Sequence, residues 1–282
     1  QSPGQECQRR SRPQAPPWNS KVKLAVLALI FSGMLVSGCV TTTDSRFSRE
    51  ADRDKALSSY VQLATAYIGQ GNLERARHHL DRALEIDSGN AEALAAMGLV
   101  YSYEGEEQLS EESFRKAVSA DGSYTRGRVY YGAFLYGQKE YEGARNQFSV
   151  ASRDTGYRER GGVFYNLGMT EERLDNLEGA EAAYRRAVEL TRGEARSLLS
   201  LSRVLVEQDN YTEASRYYSR LQTMIQGNTR LTHSAESLYT GIRIARYFGD
   251  KDQEASMALL LRNEFPESTE YQQYKVLIAN DR

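Results

Sequence analysis

Proline all but vanishes from this chain after residue 17. Pro3, Pro13, Pro16 and Pro17 crowd the first twenty residues, and only Pro266 follows. Proline breaks helix interiors, so a stretch of about 250 residues without it is free to be helical throughout. Cysteine is nearly as scarce: Cys7 and Cys39 are the only two, which excludes a disulfide framework. The three histidines, His78, His79 and His233, fit no metal-ligand spacing. His78 and His79 are adjacent on a helix pattern and point about 100° apart, so they read as solvated surface rather than as chelators. No HExxH, CxxC, GxSxG or GxxxxGK[ST] pattern occurs. Gly161-Gly162 follows no strand and opens no phosphate loop, and the acids at Glu104, Glu106 and Glu107 read as turn charges. The expectation is therefore a chain that is not an enzyme, with no cofactor, metal or small-molecule substrate.

A basic surplus is also missing. The net charge is −2, and residues 1–38 hold five Lys/Arg against the single acid Glu6. From Cys39 onward 31 basic residues face 37 acidic ones, about −6, which argues against a nucleic-acid partner. Hydrophobic residues make up 40% and charged residues 26%, the proportions of a folded domain rather than a disordered chain. Long apolar runs are absent too: Leu24–Val36 spans 13 residues, whereas crossing a bilayer takes about 20.

That run follows Lys21 and Lys23 and ends in Val36-Ser37-Gly38-Cys39. A basic flank, a short apolar core and small residues read as a signal peptide over 21–38. Its end resembles the lipobox of bacterial lipoproteins. The resemblance implies that Cys39 carries lipid (diacylglycerol, palmitate among its acyl chains) and becomes the mature N-terminus. Valine rather than aspartate at position 40 implies sorting to the outer membrane. Residues 39–56 then read as a lipidated polar tether. Residues 1–20 fit neither part, and two readings stay open: an over-extended start or a disordered leader.

From Leu57 the chain repeats. Small residues recur at Ala64, Gly98, Gly132, Gly168 and Ser202, in steps of 34, 34, 36 and 34. A second series, Ala76, Ser110, Ala144, Ala180 and Ala214, keeps the same steps, and a third runs Ala83, Ala117, Ala151, Ala187 and Leu221. Two antiparallel helices approach closely only where side chains are minimal, so these positions mark helix crossings. A period of 34 with this small–large pattern resembles the tetratricopeptide repeat. The expected fold is all-α: a right-handed solenoid of about six helix pairs plus a C-terminal capping helix. The repeat domain runs 57–282, with units near 57–90, 91–124, 125–158, 161–194, 195–228 and 236–269, and a cap at 269–280. The sixth unit is divergent, with Arg243 and Arg262 at positions that are small elsewhere, and Thr223–Ser234 reads as a longer connection before it.

In repeats of this kind the concave groove is lined from the first helices. By that resemblance the candidate partner-binding residues are Val61, Thr65, Ile68, Leu99, Arg126, Val129, Tyr136, Tyr165, Met169, Arg196, Leu199 and Arg203. They describe an apolar groove with a few arginines, suited to an extended segment of a partner; the alternative is that some of them pack inward. Val61 and Thr65 stand where a carboxylate clamp would place lysine and asparagine, which disfavours a chaperone-tail receptor.

SGCVTT at 37–42, NAEALAAMGLVY at 90–101, YYGAFLYGQKEYEGA at 130–144 and GIRIARYFGDKDQEA at 241–255 resemble one family in particular. It is the type IV pilus biogenesis/stability lipoproteins, or pilotins (PilF/PilW). Tyr136 stands where relatives often carry cysteine. The resemblance implies an outer-membrane lipoprotein, anchored through Cys39 on the periplasmic face, that binds the pilus secretin and promotes its localisation and multimerisation. The runner-up is a repeat lipoprotein scaffold in outer-membrane barrel assembly or cell-wall synthesis. A third reading, a cytoplasmic co-chaperone, fails if Cys39 is lipidated.

Overall fold

The computed structural model of the chain describes residues 46–279, and Cys39 with the signal segment lies outside them. The repeats lie in one compact unit that begins at Asp52. Thirteen helices and no strand occur among the described residues. They pair as α1 (Arg46–Gly69) with α2 (Leu73–Ile86), α3 (Ala91–Glu104) with α4 (Glu107–Ala120), and α5 (Thr125–Gly137) with α6 (Tyr141–Ala151). Then come α7 (Arg160–Arg173) with α8 (Leu177–Leu190), α9 (Ala195–Glu207) with α10 (Tyr211–Gly227), and α11 (Ala235–Phe248) with α12 (Lys251–Glu264). Helix α13 (Thr269–Ala279) ends the solenoid.

Two boundaries differ from the sequence reading. Helix α1 begins at Arg46, so the polar stretch read as tether is helical over its last eleven residues. Arg49, Glu50, Ala51, Arg53 and Lys55 are good exposed helix formers, which a polarity argument alone takes for linker. Helix α10 runs on to Gly227, leaving only 228–234 as the connection before the sixth pair.

The small positions sit where the period put them. Ala64, Ala76, Ser110, Ala144, Ala180, Ser202 and Ala214 are all fully buried. Against them lies a further 34-step series on the second helices: Leu80, Phe114, Phe148, Tyr184 and Tyr218, each at most 3% exposed. A methyl group on Gly98 would lie 2.8 Å from the Phe114 ring, on Gly132 2.8 Å from Phe148, and on Gly168 2.6 Å from Tyr184. Real side chains do not tolerate such contacts, so glycine here is a packing requirement. The sixth pair obeys the same rule with a shifted register. Its small residue is Gly241, pressed against Met257 and the Tyr218 hydroxyl, and Tyr218 also donates to the Ser237 carbonyl at 2.8 Å. Arg243 is thus no substitute for a crossing residue. It sits two positions on, where the helix faces the groove, and Arg262 is exposed.

Each hairpin turn is closed the same way. One or two places after the first helix a residue adopts a left-handed conformation, at Gly71, Gly105, Lys139, Asp175, Asp209 and Gly249. The next amide then donates back to the helix, as Glu140 does to the Leu135 carbonyl and Asn176 to the Glu171 carbonyl, both at 2.9 Å. Lysine has a Cβ that disfavours this region, so Lys139→Gly is expected to raise stability by roughly 0.5–1 kcal/mol, read as a higher chemical-denaturation midpoint. Asparagine caps four of the second or following helices through its side chain, at Asn72, Asn90, Asn176 and Asn210.

Stacked pairs bury one another's faces, but not in one uninterrupted core. One cluster spans Val61 to Val100, a second Phe114 to Val163, and the largest Ala180 to Leu261. Helix α13 packs Tyr271 and Tyr274 onto the last of these while none of its own residues is fully buried. His79 departs from the surface reading: it is half-buried, with its ring stacked on Tyr67 at 5.4 Å and an interplanar angle of 2°.

Candidate functional site

The first helices of the pairs form the concave face, and it is divided in two. The amino-terminal half is a cavity of about 1050 Å³ built by α1, α3 and α5. Val61, Thr65, Ile68, Leu99 and Arg126 line it, together with Tyr103, Tyr124, Tyr130 and Phe134, which sequence reasoning did not single out. Among the described residues, Glu92 and Arg126 are its only charged lining residues. Arg126 lies among tyrosines: although burial opposes its charge, Tyr130, Tyr124 and Tyr157 outweigh it and hold its pKa up. Tyr157 is itself pushed up to about 12 by burial and by the hydrogen bond it donates to Glu159 at 2.9 Å. Tyr103 stands 65% exposed at the mouth, an aromatic surface open to a partner.

The carboxy-terminal half is a cavity of about 980 Å³ over α7, α9 and α11, bounded by α13. Of the predicted residues, Tyr136, Tyr165, Met169 and Arg203 line it. Arg203 is its centre. Its guanidinium reaches Glu172 on α7, Glu207 at 2.9 Å on its own helix and Glu236 on α11. The approach to Glu236, 2.7 Å from Nε, has ion-pair distance without hydrogen-bond alignment. Burial works against the Arg203 charge, but the three carboxylates outweigh it and raise its pKa above the usual guanidinium value. On the other side of the pair, burial pushes Glu172 above the usual carboxylate value against the pull of Arg203. The two shifts have different causes: lost water raises Glu172, whereas at Arg203 the surrounding carboxylates outweigh the lost water. One arginine thereby ties three successive pairs together across the groove floor.

Arg196 lines a smaller pocket, about 310 Å³, at the turn between the third and fourth pairs, and its guanidinium covers the Tyr165 ring at 4.6 Å. Val129 and Leu199 line neither cavity; both are half-buried and pack against the core clusters. Ala95 and Val206, at equivalent groove-face positions, are buried outright. The neighbouring pair closes over these side chains, whereas Val61 and the longer Tyr165 still line a cavity. Of the groove residues missed by sequence, Tyr239, Arg243 and the α13 side chains Gln273, Val276 and Leu277 come from the divergent end, where the repeat register slips. A count made from the left-handed turn residue Gly249 backward, rather than from the small residues forward, would have recovered Tyr239 and Arg243.

Comparison with known proteins agrees with this architecture. Residues 58–90, 91–124 and 165–228 match family descriptions of the tetratricopeptide repeat. The chain is 36% identical over 255 residues to the type IV pilus assembly protein PilF of Pseudomonas aeruginosa, covering 90% of this chain and 98% of that protein. A solved structure of Pseudomonas aeruginosa PilF superposes with a TM-score of 0.70 at 37% identity, over 80% of this chain and 99% of that one. PilW, described as a widely conserved type IV pilus biogenesis factor, shares the fold with a TM-score of 0.61 at 23% identity, over 77% and 97% of the two chains.

Proposed function

This chain belongs to the PilF family of tetratricopeptide-repeat proteins of type IV pilus biogenesis, and from that premise we propose that it is an outer-membrane lipoprotein that binds the pilus secretin and promotes its multimerisation. The observation that carries the reading is the amino-terminal half of the concave face. Val61, Ile68, Leu99, Tyr130 and Phe134 form an open apolar surface with almost no charge, the character expected of a groove for a partner's extended or helical segment. Cys39, just upstream of that half, supports a lipid anchor on the periplasmic face. Anchoring confines the groove to the bilayer surface, where a raised effective concentration makes modest affinity sufficient. The role is assembly without covalent chemistry.

The test is the amount of SDS-resistant secretin multimer in outer membranes of a deletion strain, complemented with wild type or Cys39→Ala. The expected result is loss of multimers without the protein, and their relocation or depletion with the alanine variant. Multimers unchanged in amount and place would overturn the assignment and direct attention to barrel assembly or cell-wall synthesis.

A further inference from the structure

The edge formed by the hairpin turns carries an aromatic surface that neither cavity uses. Tyr211, which opens α10, stacks on Tyr247 of α11 with ring centroids 4.2 Å apart and planes 7° from parallel. Phe248 meets Tyr247 edge to face, at 5.1 Å and 89°. Two of these three rings look outward: Tyr247 is 59% exposed and Phe248 53%. The hairpin itself does not require them. Counted from the left-handed turn residue, the place of Phe248 is held by Gln70, Glu104, Gln138, Leu174 and Gln208 in the other pairs. Single exposed apolar residues are ordinary, whereas a contiguous exposed patch marks a contact surface.

Acids flank the rings on both sides. Residues 207–213 and 246–254 hold Glu207, Asp209, Glu213, Asp250, Asp252 and Glu254 against only Arg246 and Lys251. Three of these acids are paired within the domain: Glu207 with Arg203, Glu213 with Arg185 and Glu254 with Arg246. With those pairs set aside, Asp209, Asp250 and Asp252 face Lys251 alone, so the corner is negative by either count. Including Arg216, further along α10, still leaves the acids in excess. Asp209, Asp250 and Asp252 are all exposed, and none has an ion-pair partner among the described residues.

We propose that this corner, between the fifth and sixth hairpin turns, docks an arginine-bearing segment of a partner protein. A guanidinium lies over the open face of Tyr247 or Phe248 and pairs with the neighbouring aspartates. Arginine suits both halves of the surface: it is planar and weakly hydrated, stacks on rings, and keeps its N–H groups for carboxylates. Lysine offers a point charge to the acids but stacks less well, and a neutral segment would cover the rings while leaving the aspartates without partners. The residues involved lie outside both cavities of the concave face. The inference therefore goes beyond the secretin reading and does not depend on it.

The experiment is fluorescence anisotropy with the whole protein purified in a non-ionic detergent. The probe is a dye-labelled octapeptide of serine, threonine and glycine that carries two arginines; its controls carry lysine, glutamine or glutamate at both places. The arginine probe is expected to bind about tenfold tighter than the glutamine probe, with lysine between them and glutamate weakest, and to weaken as salt is added. Phe248→Gln, which places there the residue of three other turns, should cost the arginine probe about three- to tenfold. Asp209→Asn combined with Asp252→Asn should cost about as much, and asparagine tolerates the left-handed backbone at 209. All these side chains are exposed, so unchanged melting of the variants checks that lost binding is not lost fold. Arg126→Gln, in the amino-terminal cavity, should leave binding unmoved. No preference for arginine over glutamine, tighter binding of the glutamate probe, or indifference to both sets of substitutions would overturn the proposal. Competition by N-acetylarginine amide at the probe's own affinity would overturn it too, by reducing the corner to a contact for small cations.

Discussion

Replacing Gly132 with leucine should lower the stability of the solenoid by about 3 kcal/mol or more. A methyl group at this position would already lie 2.8 Å from Cε1 of Phe148 and 3.0 Å from the ring's Cδ1 and Cζ. The ring cannot retreat, because Phe148 is 1% exposed and wedged in the cluster with Leu135, Ala144 and Val163. Overpacking of a dense core ordinarily costs about 1–3 kcal/mol, and here the α5–α6 crossing itself must open. Two companion variants separate packing from backbone propensity. Gly132→Ala gains close to 1 kcal/mol of helix propensity yet meets the same ring, so it should still be net destabilising. Gly137→Ala, five residues on in the same helix with nothing within 4 Å, has only the gain and should be neutral or stabilising by up to about 1 kcal/mol. Because each pair contacts only its neighbours, the damage from Gly132→Leu should concentrate in the second to fourth pairs. Hydrogen exchange resolved by residue checks this: protection should fall most between 107 and 173 and least beyond 211. Equal stability of Gly132→Leu and Gly137→Ala would refute the close-crossing account.

The crossings were legible in the sequence because they are governed by exclusion. Only glycine, alanine or serine occurs in two of the series, and a period of about 34 makes them visible without any structure. The ring series at Phe114, Phe148, Tyr184 and Tyr218 shares that period, but bulky residues occur at many other places and do not announce themselves. The sixth pair was legible as helices and misread in register. Its crossing residue Gly241 is matched by Met257, where the earlier pairs use a ring, so an alignment led by the earlier pattern settled on Arg243. Helix α1 was shortened for a different reason: its first turns carry no apolar stripe, and periodicity is silent where nothing is buried.

The groove was legible in outline only. First-helix residues line both cavities, but local curvature decides which of them face open space. Val61, Thr65 and Ile68 reach the amino-terminal cavity, whereas Val129 and Leu199 are closed over by the next pair. Charge is less legible still. Arg203 reads in sequence as a cation offered to a partner, and only its contacts with Glu172, Glu207 and Glu236, 31 residues before, 4 after and 33 after, reveal it as internally occupied.

That occupancy makes Arg203 the second residue whose removal should be felt strongly. Arg203→Met keeps most of the side-chain volume and leaves three carboxylates facing one another across the groove floor. Breaking a buried pair on one side costs about 3–5 kcal/mol in full burial; with the Arg203 side chain 23% and the three acids 20–44% exposed, about 2–3 kcal/mol is expected at pH 7. The pH dependence follows from Glu172. Burial already holds its folded-state pKa above the ordinary value of 4.5, and Arg203 is the main force pulling it back. Without the guanidinium that pKa rises further. A carboxyl group raised in the folded state contributes stability below its unfolded pKa and loses it as pH rises through the folded one. The variant's deficit should therefore be largest at neutral pH and shrink as pH falls toward 4.5, which denaturant titrations at pH 7.5, 6 and 5 would trace. Adding Glu172→Gln removes the most buried of the three charges and should restore more than half of the loss at pH 7.5 while changing little at pH 5. A deficit independent of pH, with no rescue by Glu172→Gln, would mean that Arg203 holds the groove by packing of its aliphatic stem and not by charge.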